Sequence, residues 1–383
     1  MQRNILLALG RYDYRTHRGV ARYAGQHQWH LNCEMASTGR LPRGWRGDGI
    51  ITAMDVQNDL LRFVATAKVP VVDISLNRQD LAFPRVVGDH YLIGKKAAEH
   101  FLERGFRHFA WHAEENNVVS RLRWQGFSDT LALENATCQS WVWKPALHHR
   151  SDQWLAKSHW LAQKLLASKK PIAVFAFCDA EAANVLDACL QSNLSVPDEV
   201  AIMGVDNNDV ICECLQVPLS SVFHDLERVG YESAALLDRI LRGEAVPSQP
   251  ILIPPKGVVA RRSTDVLAVH HEPSRKVLKF LRENFRSRIG VGDAVKASGI
   301  PRRSLDKAFR QEMGRSIIEE LTRIRINHSK ELLSHSEISI AEIAAASGFN
   351  TPQYFNRIFH GLTGMTPRKY RQAWVYPQNQ TVL

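Results

Sequence analysis

Three aspartates and one arginine stand where a ligand could be held. Asp13, Asp179 and Asp206 each follow the end of a short apolar run, and Arg123 opens a helical stretch. Open parallel sheets hold ligands outside the carboxyl ends of their strands. A carboxylate accepts from two hydroxyls and a guanidinium donates in a fixed fork, so this set suits a neutral polyol. Helix capping is the competing role for Asp179 and Asp206, because a helix is expected beside each. A second set of polar side chains lies near the C-terminus. Arg302, Arg303, Asp306 and Lys307 share the outward side of one predicted helix, and Gln353, Asn356 and Arg357 that of another. Arg and Lys match guanine edges, Asn and Gln match adenine, and a helix fits the major groove.

The second set is positioned by a repeat. Ala297-Ser298-Gly299 recurs as Ala346-Ser347-Gly348, 49 residues on. Phe309 and Gly314 recur as Phe359 and Gly364, 50 residues on, so one extra residue lies between glycine and phenylalanine in the second copy. Each copy reads as helix, glycine turn, helix, with Leu305, Ala308 and Phe309 facing inward in the first. Pro301 suits a helix start. The residues from Ser316 to Leu333 form a linking helix.

The first set needs a different frame. Asn4–Leu9, Gly49–Ala53, Val69–Ile74, Phe109–Trp111, Ile172–Phe177 and Val200–Gly204 are apolar runs of strand length. Helical stretches separate them, including 92–104 and 123–133. This alternation predicts parallel sheets covered on both faces.

Charge separates the two regions. The chain has 383 residues, enough for two or three domains, and a net charge of +10. From Val266 onward there are 19 Lys and Arg against 10 Asp and Glu, leaving 30 against 29 for the first 265 residues. A basic C-terminal part suits a polyanion, either nucleic acid or an acidic membrane surface, and a merely solvated basic face is the alternative. No apolar run reaches membrane-spanning length. The Asn4–Leu9 run is too short for a secretion signal, and the six cysteines lack framework spacing, so a reducing cytoplasm is expected. Cys212-x-Cys214, His148-His149 and His270-His271 lack zinc spacing, and no catalytic motif stands out, so neither metal, cofactor nor enzymatic activity is expected.

Several motifs resemble the LacI/GalR sensor domain, a relative of periplasmic sugar-binding proteins. They are Asp89-x-x-x-x-Gly94 with Phe101 and Gly105, Arg123-Trp-Gln-Gly-Phe127, the 196–207 stretch ending Gly204-Val-Asp206-Asn207, and Pro218-Leu-Ser-Ser-Val222. The resemblance covers residues 4 to 264. It implies two lobes joined by three crossovers, with a sugar, expected to be a pentose, in the cleft. It places sugar contacts at Arg123, Cys178, Asp179 and Asp206, and sets His224 where the family has glutamine. Tyr12 and Asp13 fall in its first ligand loop. Because the chain opens on the first strand, the family's N-terminal DNA-binding domain is not expected.

The repeat resembles the AraC/XylS-type DNA-binding domain, most specifically from Ile340 through Ser347-Gly-Phe349, Tyr354-Phe355, Arg357 and Gly364 to Pro367 and Tyr370. That resemblance implies base-facing residues at Arg302, Arg303, Asp306, Lys307, Gln353, Tyr354, Asn356 and Arg357. The expected protein is thus an α/β two-lobed periplasmic-binding-protein-like sensor at 1–265, a linker at 266–273, and an all-α domain with two helix-turn-helix units at 274–383. Its partners would be a sugar, double-stranded DNA, a second copy in a homodimer and, for activation near a promoter, RNA polymerase. A solute-binding protein for uptake is the competing function.

Overall fold

The computed structural model describes residues 2–54, 58–114, 117–144, 153–266, 269 and 271–374. His148, His149, His270 and part of the expected linker lie outside them. Backbone contacts divide the chain into two units. One comprises residues up to Leu102 and from Arg107 to Val266; the other comprises Leu267–Leu383 with the short segment Glu103–Phe106.

The first unit holds two parallel-sheet lobes, as the alternation of strands and helices requires. In the first lobe β1 (Asn4–Leu9), β2 (His30–Asn32), β3 (Gly49–Ala53) and β4 (Val71–Asp73) pair in the order β2-β1-β3-β4. β5 (Val86–Gly88) continues from β4 through an Asp73–Arg85 bridge. In the second lobe β6 (His108–Ala113), β7 (Cys138–Val142), β8 (Ile172–Ala176), β9 (Val200–Val205) and β10 (Ser220–Val222) are parallel. The chain then returns to the first lobe for β11 (Ile251–Ile253), paired with β5. It finishes on β12 (Val258–Val259), antiparallel to β10. β8 and β9 are buried throughout, which is why they read as unbroken apolar runs.

Three crossovers join the lobes, at 88–90, 223–225 and 254–257, and they are stitched together. Asp89 N–H donates to the Ile253 carbonyl at 2.8 Å, and Phe223 N–H to the Gly257 carbonyl at 2.8 Å. Each lobe also brings two helices into backbone contact through glycines. A Cβ on Gly94 would lie 2.0 Å from the Arg123 carbonyl, and one on Gly126 1.9 Å from that of Tyr91. The helices His90–Glu103 and Val118–Leu133 therefore cross at a distance only glycine permits, which fixes Arg123 beside the first crossover.

The second unit is all helical. Helices Glu272–Asn284, Val291–Ser298 and Arg302–Met313 share one core of Val277, Leu281, Ala294, Leu305 and Phe309. The first of them begins inside the stretch expected as linker, where Pro273 lies in the first turn and His271 caps the helix. Helices Ile340–Ala346 and Pro352–Thr363 share another core, of Ile343, Phe349, Phe355 and Phe359. The helix Ile317–His335 serves both, giving Ile317 and Leu321 to the first and Ile326 and Leu333 to the second. Capping boxes start it at Ser316/Glu319 and start the next helix at Ser339/Glu342.

Candidate functional site

Arg123 stands in the second turn of a helix whose start is fixed by Asn117, which accepts from Ser120 N–H at 2.9 Å. The residue is buried. Its guanidinium lies 4.9 Å over the Phe177 ring and donates to the Phe177 carbonyl, while Nε donates to His90 Nδ1 at 3.4 Å. Nη2 stands 3.7 Å from Asp206 Oδ1, which also accepts from His224 Nδ1 at 3.1 Å. His224 and His90 sit on two different crossovers, with their rings edge to face at 5.4 Å. Gly88 leaves room for this, since a Cβ there would lie 2.2 Å from His224 Nε2.

The charges follow from these contacts. Burial by itself would raise the Asp206 carboxyl, but the His224 hydrogen bond and the Arg123 charge hold it well below the usual range. Burial and the Arg123 charge keep His90 neutral, so its Nδ1 can accept. The cleft thus presents an ionised carboxylate and a buried guanidinium side by side.

The first lobe reaches this cluster through a residue that sequence reasoning missed. Arg15 donates to both Asp13 oxygens, at 3.1 and 2.7 Å, and to the Asp206 carbonyl. Asp13 also caps the helix Tyr14–Gln26. Asp13 therefore joins the cluster through Arg15, whose one signal was its place two residues on. The Tyr12 hydroxyl meets His17 Nδ1 at 3.1 Å, and His17 Nε2 meets Cys33 Sγ at 3.1 Å.

Cys178 and Asp179 lie at the end of β8. Burial and the Asp206 charge push the Cys178 thiol up to about 11, so it stays protonated. Asp179 is 2% exposed and does not cap its own helix. Its oxygens accept from Ser221 Oγ at 2.6 Å and Asn208 N–H at 2.7 Å. Burial, with the Asp206 charge behind it, lifts its carboxyl to about 7. His90 and Ser221 were also missed by sequence reasoning. His90 follows Asp89 of the quoted motif, and Ser221 lies within Pro218–Val222.

In the helical unit the predicted faces are exposed as their spacing requires. Arg302, Arg303 and Lys307 are open to water and Asp306 half so, over buried Leu305 and Phe309. Gln353, Tyr354, Asn356 and Arg357 are exposed over buried Phe355 and Phe359. Arg302 meets Asp306 at 3.5 Å, and Arg357 lies 5.3 Å over the Tyr354 ring. Arg310 and His360 extend the two exposed faces by another turn, again unforeseen. The extra residue of the second copy falls in the turn. From the repeated glycine, 299–301 lead into the first reading helix and 348–351 into the second. Pro301 starts its helix without a side-chain cap, and Thr351 accepts from Tyr354 N–H at 3.2 Å.

A two-lobed α/β sensor fold joined to two AraC-type helix-turn-helix units defines a two-part DNA-binding transcriptional regulator. Residues 98–264 match the periplasmic binding protein-like domain, and residues 294–373 match a helix-turn-helix domain. The chain is similar along nearly its whole length to the xylose operon regulatory protein of Escherichia coli strain K12, 29% identical over 374 residues and covering 94% of each chain. The protein of that name from Haemophilus influenzae is 28% identical over 289 residues, 76% of this chain and 75% of its own. Among solved structures, the xylose-binding transcription activator xylR superposes with a TM-score of 0.60 at 26% identity, covering 98% of this chain and 99% of that one. The transcription regulator CcpA of Lactococcus lactis shares the sensor fold, with a TM-score of 0.55 at 19% identity over 69% of this chain.

Proposed function

We propose that the cleft at Arg123 and Asp206 binds D-xylose and that this binding controls how the helix-turn-helix units engage a promoter. The observation that carries the reading is the ionised Asp206 held between Arg123 and His224, where the crossovers meet. Carboxylate and guanidinium together can accept from and donate to vicinal hydroxyls. A ligand seated there touches both lobes, since Arg15 of the first lobe already bonds the Asp206 carbonyl. It shifts their arrangement by as much as it prefers one state over the other. Cys178 and His224 complete the second-lobe wall, backed by the buried Asp179, with Tyr12 and Asp13 at the first-lobe rim. The names of the similar regulators support D-xylose and an activating role.

The division into sensor 1–265, linker 266–273 and reader 274–383 assigns sugar and DNA to separate parts. Helix 302–313 would place Arg302, Arg303, Asp306 and Lys307 at base edges, and helix 352–363 would place Gln353, Tyr354, Asn356 and Arg357 at others. Two such helices meet successive major grooves, about 34 Å apart. A homodimer would then read two half-sites as direct repeats and contact RNA polymerase, in the cytoplasm. The role is binding without a catalytic step. No helix among the described residues is long and apolar enough to cross a membrane.

A thermal-shift panel of pentoses and hexoses tests the ligand. D-xylose should raise the melting temperature most. A larger rise with another sugar reassigns the ligand, and no rise with any sugar contradicts the sensor reading.

A further inference from the structure

Asp206 and Asn207 both hold left-handed backbone, with φ of +100° and +48°. Non-glycine residues seldom adopt such conformations, and two in succession persist only where the surroundings over-determine them. Three consecutive amides show what does so here. Asp206 N–H donates to the Val222 carbonyl at 3.1 Å, Asn207 N–H to Ser221 Oγ at 2.9 Å, and Asn208 N–H to Asp179 Oδ2 at 2.7 Å. Ser221 in turn donates to Asp179 Oδ1 at 2.6 Å. One carboxylate and one hydroxyl therefore hold the two amides that follow Asp206. Gly204 is part of the same fit, because a Cβ there would lie 2.3 Å from Asp179 Oδ1.

Both Asp179 oxygens already accept a hydrogen bond, and the residue is 2% exposed, so burial leaves little of it open to a sugar. We infer that Asp179 and Ser221 are positioning residues: together they clamp the left-handed Asp206–Asn207 turn and so aim the Asp206 carboxylate into the cleft. This deepens the sugar-binding reading and rests on it. The clamp needs hydrogen-bonding shape rather than negative charge. An asparagine at 179 could accept from Asn208 N–H through its oxygen and donate to Ser221 Oγ through its amide. A direct sugar contact would instead lose one acceptor and the negative charge, because the amide nitrogen takes the place of one carboxylate oxygen. The two roles therefore separate on Asp179→Asn.

The experiment uses the full chain in two measurements. Calorimetric titration with D-xylose compares the wild type with Asp179→Asn, Asp179→Ala, Ser221→Ala and the double alanine variant. Hydrogen exchange without sugar follows the Asn207 and Asn208 amides. Asp179→Ala and Ser221→Ala should each weaken binding roughly 10- to 100-fold, and the double variant should lose less than the product of the two. Asp179→Asn should stay within about threefold of the wild type, an amount worth well under one kcal/mol. Both amides should exchange faster in the alanine variants and stay protected in Asp179→Asn. Binding lost in Asp179→Asn with protection kept would overturn the inference in favour of direct contact. Wild-type affinity in either alanine variant would also overturn it. If Asp179→Ala fails to fold, Ser221→Ala and Asp179→Asn carry the same contrast. If the wild type binds no sugar, the sensor reading fails, and the exchange data alone decide the clamp.

Discussion

The sensor cleft and the reading helices handle charge in opposite ways. Arg123 is buried and Asp206 half-buried, and the two face each other, with His90 and His224 beside them. Arg303, Lys307, Asn356 and Arg357 stand exposed in water. A charge out of water costs much when its partner is removed, because it is left uncompensated. Exposed charges are screened within about 10 Å at ordinary salt, and their attraction to a polyanion weakens as salt rises. The cleft should therefore respond steeply to single substitutions and weakly to salt, and the reader should do the reverse.

The largest effect should come from removing the cleft carboxylate. Asp206→Ala takes away an acceptor for two sugar hydroxyls and should weaken sugar binding by about 3–5 kcal/mol, at about 1.5–3 kcal/mol for each hydrogen bond to a charged group. DNA affinity in the absence of sugar should stay within about twofold. Calorimetry and a gel-shift titration read the two, and a parallel loss of both would dissolve the distinction.

Next comes a second buried cluster of the sensor. Glu181 meets His112 at 2.7 Å and Lys157 at 2.7 Å. Burial would raise the Glu181 carboxyl, yet the His112 and Lys157 contacts hold it at about 2, below its ordinary 4.5. A lowered folded value means stability that is present above about 4.5 and lost as pH falls toward about 2. The wild type should lose on the order of 3 kcal/mol over that window, a loss that Glu181→Gln should not show. Denaturant melts from pH 6 down to pH 2 would check this. Equal slopes for the two proteins would remove Glu181 from the account.

Smaller effects belong to the reader. Arg357→Ala should cost about 1–3 kcal/mol on a specific site and little on random DNA, if its stacking on Tyr354 presents it to a base. Lys307→Ala should reduce the salt slope of binding by about one if that side chain meets a phosphate. The smallest change should follow Asp306→Ala, because its exposed pair with Arg302 contributes under about 1 kcal/mol to folding. Loss of the reader's fold in that variant would show that the exposed face does structural work.

The same contrast explains what could be read from the chain itself. β1, β8 and β9 are five or six residues long and buried, so apolar runs revealed them. β2, β5 and β10 have only three residues each, and β2 is partly exposed, so neither length nor alternation marked them. The reader was legible because each helix carries its own pattern and the pattern occurs twice. In the cleft, residue types at strand ends were legible but partnerships were not. Arg15, His90 and Ser221 reach Asp206, Arg123 and Asp179 from far along the chain. The left-handed turn at Asp206 was invisible too, because no glycine marks it.

On the proposed function, a sugar at Asp206 governs the helix-turn-helix units. The most direct test titrates the full-length protein, with and without D-xylose, onto a duplex that the protein has selected from a random pool. The expected result is a wild-type affinity that changes about 5- to 150-fold with sugar, the usual span of such couplings. Asp206→Ala should keep the sugar-free affinity and lose the response. An Asp206→Ala protein that responds as the wild type does, or a wild type indifferent to sugar, would contradict it.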